Sequence, residues 1–223
     1  MKRILFRIFI ALLIFGVLLA GWIAFDIYTP HKVDIREFDA DEVARLDTAM
    51  WRSYYSRERL QMYRELTELL QKQYGLRFWR RQLVAYYAAK AAFIFKDGKQ
   101  RADYEKALPD LEKFYGEIRD ISTTDFDAQQ AAKSELEWWI VHREREKYRE
   151  GDLARALAET AAAVYQMPAE TFLEHGRRRA EAMEIRDTKA ETGGVSEEDW
   201  QKIDELLHAS WRSLHSAVNK NGL

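Results

Sequence analysis

The chain has 223 residues, no cysteine, three prolines and ten glycines, with 35 Lys and Arg against 37 Asp and Glu. Without cysteine there are no disulfides and no thiolate metal centres, and a net charge of −2 leaves no basic footprint, so nucleic acid is not an expected partner. Abundant Ala, Glu, Leu, Arg and Lys with little Pro or Gly favours helix almost throughout.

The first element is the apolar run Ile4 to Phe25. At about 1.5 Å of rise per residue, roughly 20 such residues cross the hydrocarbon layer as a helix. The lipid bilayer is therefore the expected partner of residues 4–25. The domain scheme that follows is an N-terminal transmembrane anchor at 1–27, a juxtamembrane linker at 28–38 and a soluble all-helical domain at 39–220. A cleaved secretory signal is the competing reading. Its apolar core would be shorter, roughly 7 to 15 residues, and would end in a small-residue cleavage site, which Trp22 spoils. Trp22 also stands where a lipoprotein signal would carry its lipidated Cys. Lys2, Arg3 and Arg7 at the start of the run place the N-terminus in the cytoplasm and the rest beyond the inner membrane of a bacterial type of cell. Gly16, Ala20 and Ala24 recur every four residues and offer a face for self-association.

Thr29-Pro30 bends the linker out of helical geometry. Asp39 or Asp41 caps a helix expected to run to about Tyr74, closed by Gly75 as a left-handed cap. The next spans about Phe78 to Phe95 and stops at Asp97-Gly98. A helix from about Ala102 to Ile118 is kinked or restarted at Pro109, with Tyr104, Leu108, Leu111, Phe114 and Tyr115 along one stripe. Ser122 to Asp125 is a capping cluster before a long helix from Phe126 to Glu150. Glu150-Gly151-Asp152 stops it and starts an alanine-rich helix from Leu153 to Tyr165. Pro168 opens a helix to about Ala190. Gly193-Gly194 makes a turn, and Ser196 with Asp199 forms a capping box for the last helix, Trp200 to Val218. No segment alternates with period two, so the expected fold class is all-α: an N-terminal transmembrane helix followed by an irregular helical bundle of about seven helices, with a helical-repeat solenoid as the alternative.

Aromatic doublets recur at Tyr54-Tyr55, Phe78-Trp79, Tyr86-Tyr87, Phe114-Tyr115 and Trp138-Trp139. Consecutive residues lie about 100° apart on a helix, so doublets mark a wide buried face; core packing is the expectation and an aromatic ligand pocket the alternative. Only Glu205 with His208 fits the Glu-x-x-His pattern of bundle metal sites, which require two such pairs. Asp204, His208 and His215 share a face and are read as solvated surface. Glu135, Trp139 and His142 recur at i, i+4 and i+7; facing inward they would bury an acid and an imidazole, while Ala132, Leu136 and Ile140 compete for the core. Arg177-Arg178-Arg179 and the HREREK run from His142 to Lys147 are read as solvated faces with local ion pairs such as Arg177 with Glu181. No nucleophile elbow, phosphate loop, HExxH or dinucleotide fingerprint occurs. No catalytic, cofactor-binding or metal residue and no cofactor is therefore assigned. The expected function is a single-pass, membrane-anchored envelope module that binds a protein partner, self-associates or acts as a scaffold. The alternative is an enzyme or a cofactor or metal carrier with Glu135, His142 and His208 at a site buried in the bundle.

Overall fold

The computed structural model describes residues 2–29 and 31–220; Pro30, assigned from sequence to the bend of the linker, lies outside them. The helices are α1 (Lys2–Tyr28), α2 (Ala40–Tyr55), α3 (Arg59–Tyr74), α4 (Phe78–Asp97), the single turn α5 (Arg101–Tyr104), α6 (Leu108–Ile121), α7 (Ala128–Arg143), α8 (Asp152–Tyr165), α9 (Leu173–Thr192) and α10 (Glu197–Asn219). Among the described residues the only extended pairing is one bridge between Val33 and Ser122, so the fold is all-α.

Local chemistry sets most boundaries. The Asp39 carboxylate accepts from the Asp41 and Glu42 N–H groups at 3.0 and 3.1 Å and starts α2. Gly75, at φ +65°, ends α3 as a left-handed cap whose N–H donates to the Gln71 carbonyl. Ser196 and Asp199 form the expected reciprocal box at the start of α10. Pro109 falls in the first turn of α6, so it is a restart and not a kink.

Three expectations are corrected. The helix expected from about residue 39 to Tyr74 is two, α2 and α3, turned at Ser56 to Glu58 with Arg57 held at φ +63°. The helix expected to reach Glu150 ends at Arg143, where a 3-10 turn follows; the cap of α7 is Asp127, not the Ser122 to Asp125 cluster. Pro168 opens a 3-10 turn, Ala169–Phe172, ahead of α9.

From α2 onward each long helix packs on the next, and α10 returns to pack on α2. Eight helices joined by short connections thus alternate in direction and close into a ring, which excludes an open solenoid and leaves no separate four-helix core. α8 and α9 cross closely, so that a Cβ on Gly176 would collide with the Ala154 carbonyl oxygen.

The linker is not a loose tether. Val33 donates to the Ile121 carbonyl at 2.7 Å and accepts from the Thr123 N–H at 2.9 Å, Ile35 is fully buried, and the Asn219 amide reaches the Arg36 carbonyl at 3.2 Å. These contacts lay residues 31–38 across the end of the ring formed by the C-termini of α3, α6 and α10. The same end meets α1. Asp26, buried at the foot of α1, accepts from the N–H groups of Trp79 and Arg80 and caps the first turn of α4, which has no cap of its own. α1 is long and apolar enough to span a membrane, with a mean hydropathy of 2.8 over an 18-residue window none of which is buried.

Candidate functional site

The ring encloses a cavity of about 920 Å³ to which all eight helices contribute. That size lies within the roughly 300 to 1,000 Å³ of typical ligand sites. Its mouth lies at the end away from α1. There the C-terminal halves of α2, α4 and α7 meet the start of α3, and Arg57, Arg59 and Lys96 are exposed with Tyr54 and Phe93. Its floor, beside the linker, is built by Tyr74, Tyr165 and Leu214.

The aromatic doublets explain much of this lining. Tyr54-Tyr55, Phe114-Tyr115 and Trp138-Trp139 face the cavity, whereas Phe78-Trp79 meets α1. A helix in a ring wall buries its flanks against two neighbours and turns a third sector inward, so it needs a wider apolar face than a helix with one buried side. The two competing stripes of α7 are therefore both used: Ala132, Leu136 and Ile140 are buried in the wall, while Glu135, Trp139 and His142 line the cavity.

Glu135 stands at the centre of the polar lining. One carboxylate oxygen accepts from the Tyr115 hydroxyl at 2.8 Å and the other from Trp139 Nε1 at 3.0 Å. Burial, and then the Glu135 charge, push the Tyr115 hydroxyl well above its ordinary value, so it stays a donor. Tyr74 is raised for the same two reasons among others, burial being the largest. On the floor, burial raises the Tyr165 hydroxyl, and Gln73 is the side chain that bears on it, yet no hydrogen bond of good geometry is formed there.

A second cluster ties α2, α9 and α10 together. Asp47, 1 % exposed, accepts from Arg179 and from Trp211 Nε1 at 2.8 Å, and the Arg179 guanidinium lies between the Trp51 and Trp211 rings at 5.4 and 5.8 Å. Beside it, His175 Nδ1 is 2.8 Å from Ser210 Oγ. Burial, with the Arg179 charge, pushes His175 down to about 4, so it is neutral at pH 7. At the mouth, Arg186 stacks on Tyr55 at 3.2 Å, and burial pushes the Tyr55 hydroxyl up to about 12.

The other sequence candidates are dispersed. His142 Nε2 meets Asp187 at 3.0 Å. His208, half-buried, bonds the Asp204 carbonyl at 2.9 Å on the outside of the ring, while His215 packs against the Phe38 ring at 5.2 Å. Glu135, His142 and His208 thus do not form one site, and among the described residues no group of three or more His, Asp or Glu side chains is placed to hold a metal. The reading of the arginine run as surface is corrected at one position. Arg177 and Arg178 pair with Glu174, but Arg179, 100° further round, turns inward to Asp47. Arg143, within the run read as a solvated face with local ion pairs, instead donates to the carbonyls of Phe95, Lys96 and Gly98 and caps the end of α4.

Sequence reasoning missed Asp47, His175, Arg179, Ser210 and Trp211. The signal was present in part: Asp47 sits on the apolar stripe Val43, Leu46, Met50 and Tyr54, where a solvated acid has no place. Comparison with known protein families, with curated proteins and with solved structures gives no match for this chain.

Proposed function

We propose that this chain is a single-pass protein of a bacterial cytoplasmic membrane whose ring domain, on the outer side, binds a small and largely apolar molecule in its central cavity. The observation that carries this reading is the cavity itself, one site of about 920 Å³ lined by every long helix of the domain. A cavity inside the ring gives up packing in the folded state, and a ligand returns it. The lining suits an aromatic or branched apolar body. Glu135 and the Tyr74 hydroxyl suit a hydrogen-bonding group at one end of it. The mouth points away from α1, so the ligand enters from the aqueous compartment and not from the lipid. The three basic residues at the start of α1 support a cytoplasmic N-terminus.

A second reading, a protein partner seated on the mouth, is favoured by one feature. Tyr54, Leu60 and Phe93 expose apolar surface at this end, with Leu60 90 % exposed. Self-association through α1 would use the Gly16 face, which is open in the single chain.

The test is a fluorine NMR titration with 4-(trifluoromethyl)benzyl alcohol, an apolar ring carrying one hydroxyl, into the full chain in lipid nanodiscs, against empty nanodiscs. The expected result is one saturable site that is lost when Ala89→Phe fills the cavity and the helical circular dichroism is unchanged. A response equal to that of empty nanodiscs would overturn the reading.

A further inference from the structure

The junction of α1 with α4 carries a set of features that the cavity does not use. Trp22 lies inside the apolar run of α1, so in a membrane it sits at the border of hydrocarbon and headgroups. Its ring stacks on Phe78 at 6.0 Å and meets Trp79 edge-on at 5.5 Å. The first turn of α4 is therefore held at the depth of Trp22, and the Asp26 cap fixes it there. Phe78 nevertheless remains 45 % exposed, and Phe25 and Tyr28 beside it are open.

Some side-chain donors of this turn lack acceptors. Trp79 Nε1, Arg77 Nη1 and Arg81 Nε are buried and, among the described residues, have no hydrogen-bond partner. The Arg77 guanidinium lies over Phe25 at 5.8 Å and that of Arg81 over Phe78 at 5.1 Å, so both are flat against the aromatic collar. Arg80 is engaged, with Glu117 at 3.5 Å and the Ile27 carbonyl, and Arg81 also reaches the Gln71 side chain. Asp26 and Glu117 are thus the carboxylates used here, and neither pairs with Arg77 or Arg81. Buried donors without acceptors cost free energy, each about 1–3 kcal/mol.

We propose that the first turn of α4 is a phospholipid headgroup site, in which Arg77 and Arg81 hold the phosphate of an anionic lipid while Trp22, Phe25, Phe78 and Trp79 lie at the acyl boundary. The headgroup layer provides what the site lacks: negative charge for two guanidinium groups without carboxylates, and an apolar edge for the exposed rings. The folded domain is then docked on the bilayer and not merely tethered to it. The ring stands with its floor on the lipid and its mouth facing outward.

The inference rests on α1 spanning the membrane, and the test separates the two claims. Because the chain has no cysteine, single nitroxide labels at Phe15→Cys, Phe78→Cys and Phe93→Cys in the full chain report depth in phosphatidylcholine and phosphatidylglycerol vesicles without background. The label at Phe15 is expected in the hydrocarbon, that at Phe78 in the headgroup layer and that at Phe93 in water. In native mass spectrometry from an equimolar mixture of the two lipids, the full chain is expected to retain phosphatidylglycerol in preference. Arg77→Gln with Arg81→Gln weakens that preference by about fivefold per charge removed. A Phe78 label as exposed to water as the Phe93 label, with Phe15 in hydrocarbon, overturns the headgroup site and leaves the anchor standing, as does a lipid preference unchanged in the double variant. A Phe15 label in water overturns both.

Discussion

His175 shows how a single side chain ties stability to pH. Folded, it takes a proton only near pH 4, whereas an unfolded histidine takes one near 6.5. Between those values the unfolded chain binds more protons, so the contribution is fully present above about pH 6.5 and is lost as pH falls towards 4, by roughly 3 kcal/mol at most. The groups facing it are Arg179, which adds to the depression, and Asp47 and the Ser210 carbonyl, which oppose it. Urea denaturation of the detergent-solubilised full chain at pH 7, 5.5 and 4 checks this against His175→Gln. The gap between the two proteins should narrow or reverse on acidification, and a gap independent of pH would contradict it. This residue could not be read from sequence, because its partner Ser210 is 35 positions away. Asp47 and Arg179 are 132 apart, and only folding shows that the misplaced acid and the third arginine of a basic run answer each other. Glu135 was legible because its partner Trp139 is one turn along the same helix.

Among the elements, what was local was legible. Gly75, Pro109 and the Ser196 to Asp199 box act within one turn of chain; sequence placed the first and last and offered the restart at Pro109 as one of two readings. The turn between α2 and α3 carries neither glycine nor proline. Arg57 takes a left-handed conformation there that its side chain does not favour, so the packing of α3 back onto α2 decides it. The crossing of α8 and α9 has a sharper requirement. Gly176→Ala puts a methyl group into the Ala154 carbonyl and should cost about 2–3 kcal/mol or more. Gly116, inside α6 with nothing within 4 Å, is the matched control, and its change to Ala should gain up to about 1 kcal/mol. Thermal melts of the two variants in the full chain measure the contrast; equal shifts would mean that α8 and α9 do not approach so closely.

For the whole molecule, composition announced an all-α chain with one apolar helix, and the described residues of the domain hold eight long helices where about seven were expected. Closure was not announced. Whether α10 meets α2 depends on the summed angles of the helix crossings between them, and no window of sequence contains that sum. The aromatic doublets were the one trace of it, since a face too wide for a two-layer bundle fits a wall buried on three sides. A ring also explains why the linker is ordered: something has to close the floor, and Val33 to Phe38 does so.

The central claim, an accessible cavity inside a closed ring, is tested most directly by thiol reactivity at two sites of α8. Thr160 lines the cavity and Ala158, fully buried, lies in the wall. In the folded full chain, Thr160→Cys should react readily with methyl methanethiosulfonate, more slowly once 4-(trifluoromethyl)benzyl alcohol is added, while Ala158→Cys stays protected. If Thr160→Cys proves as protected as Ala158→Cys, the interior is solid and the binding function proposed for it is wrong.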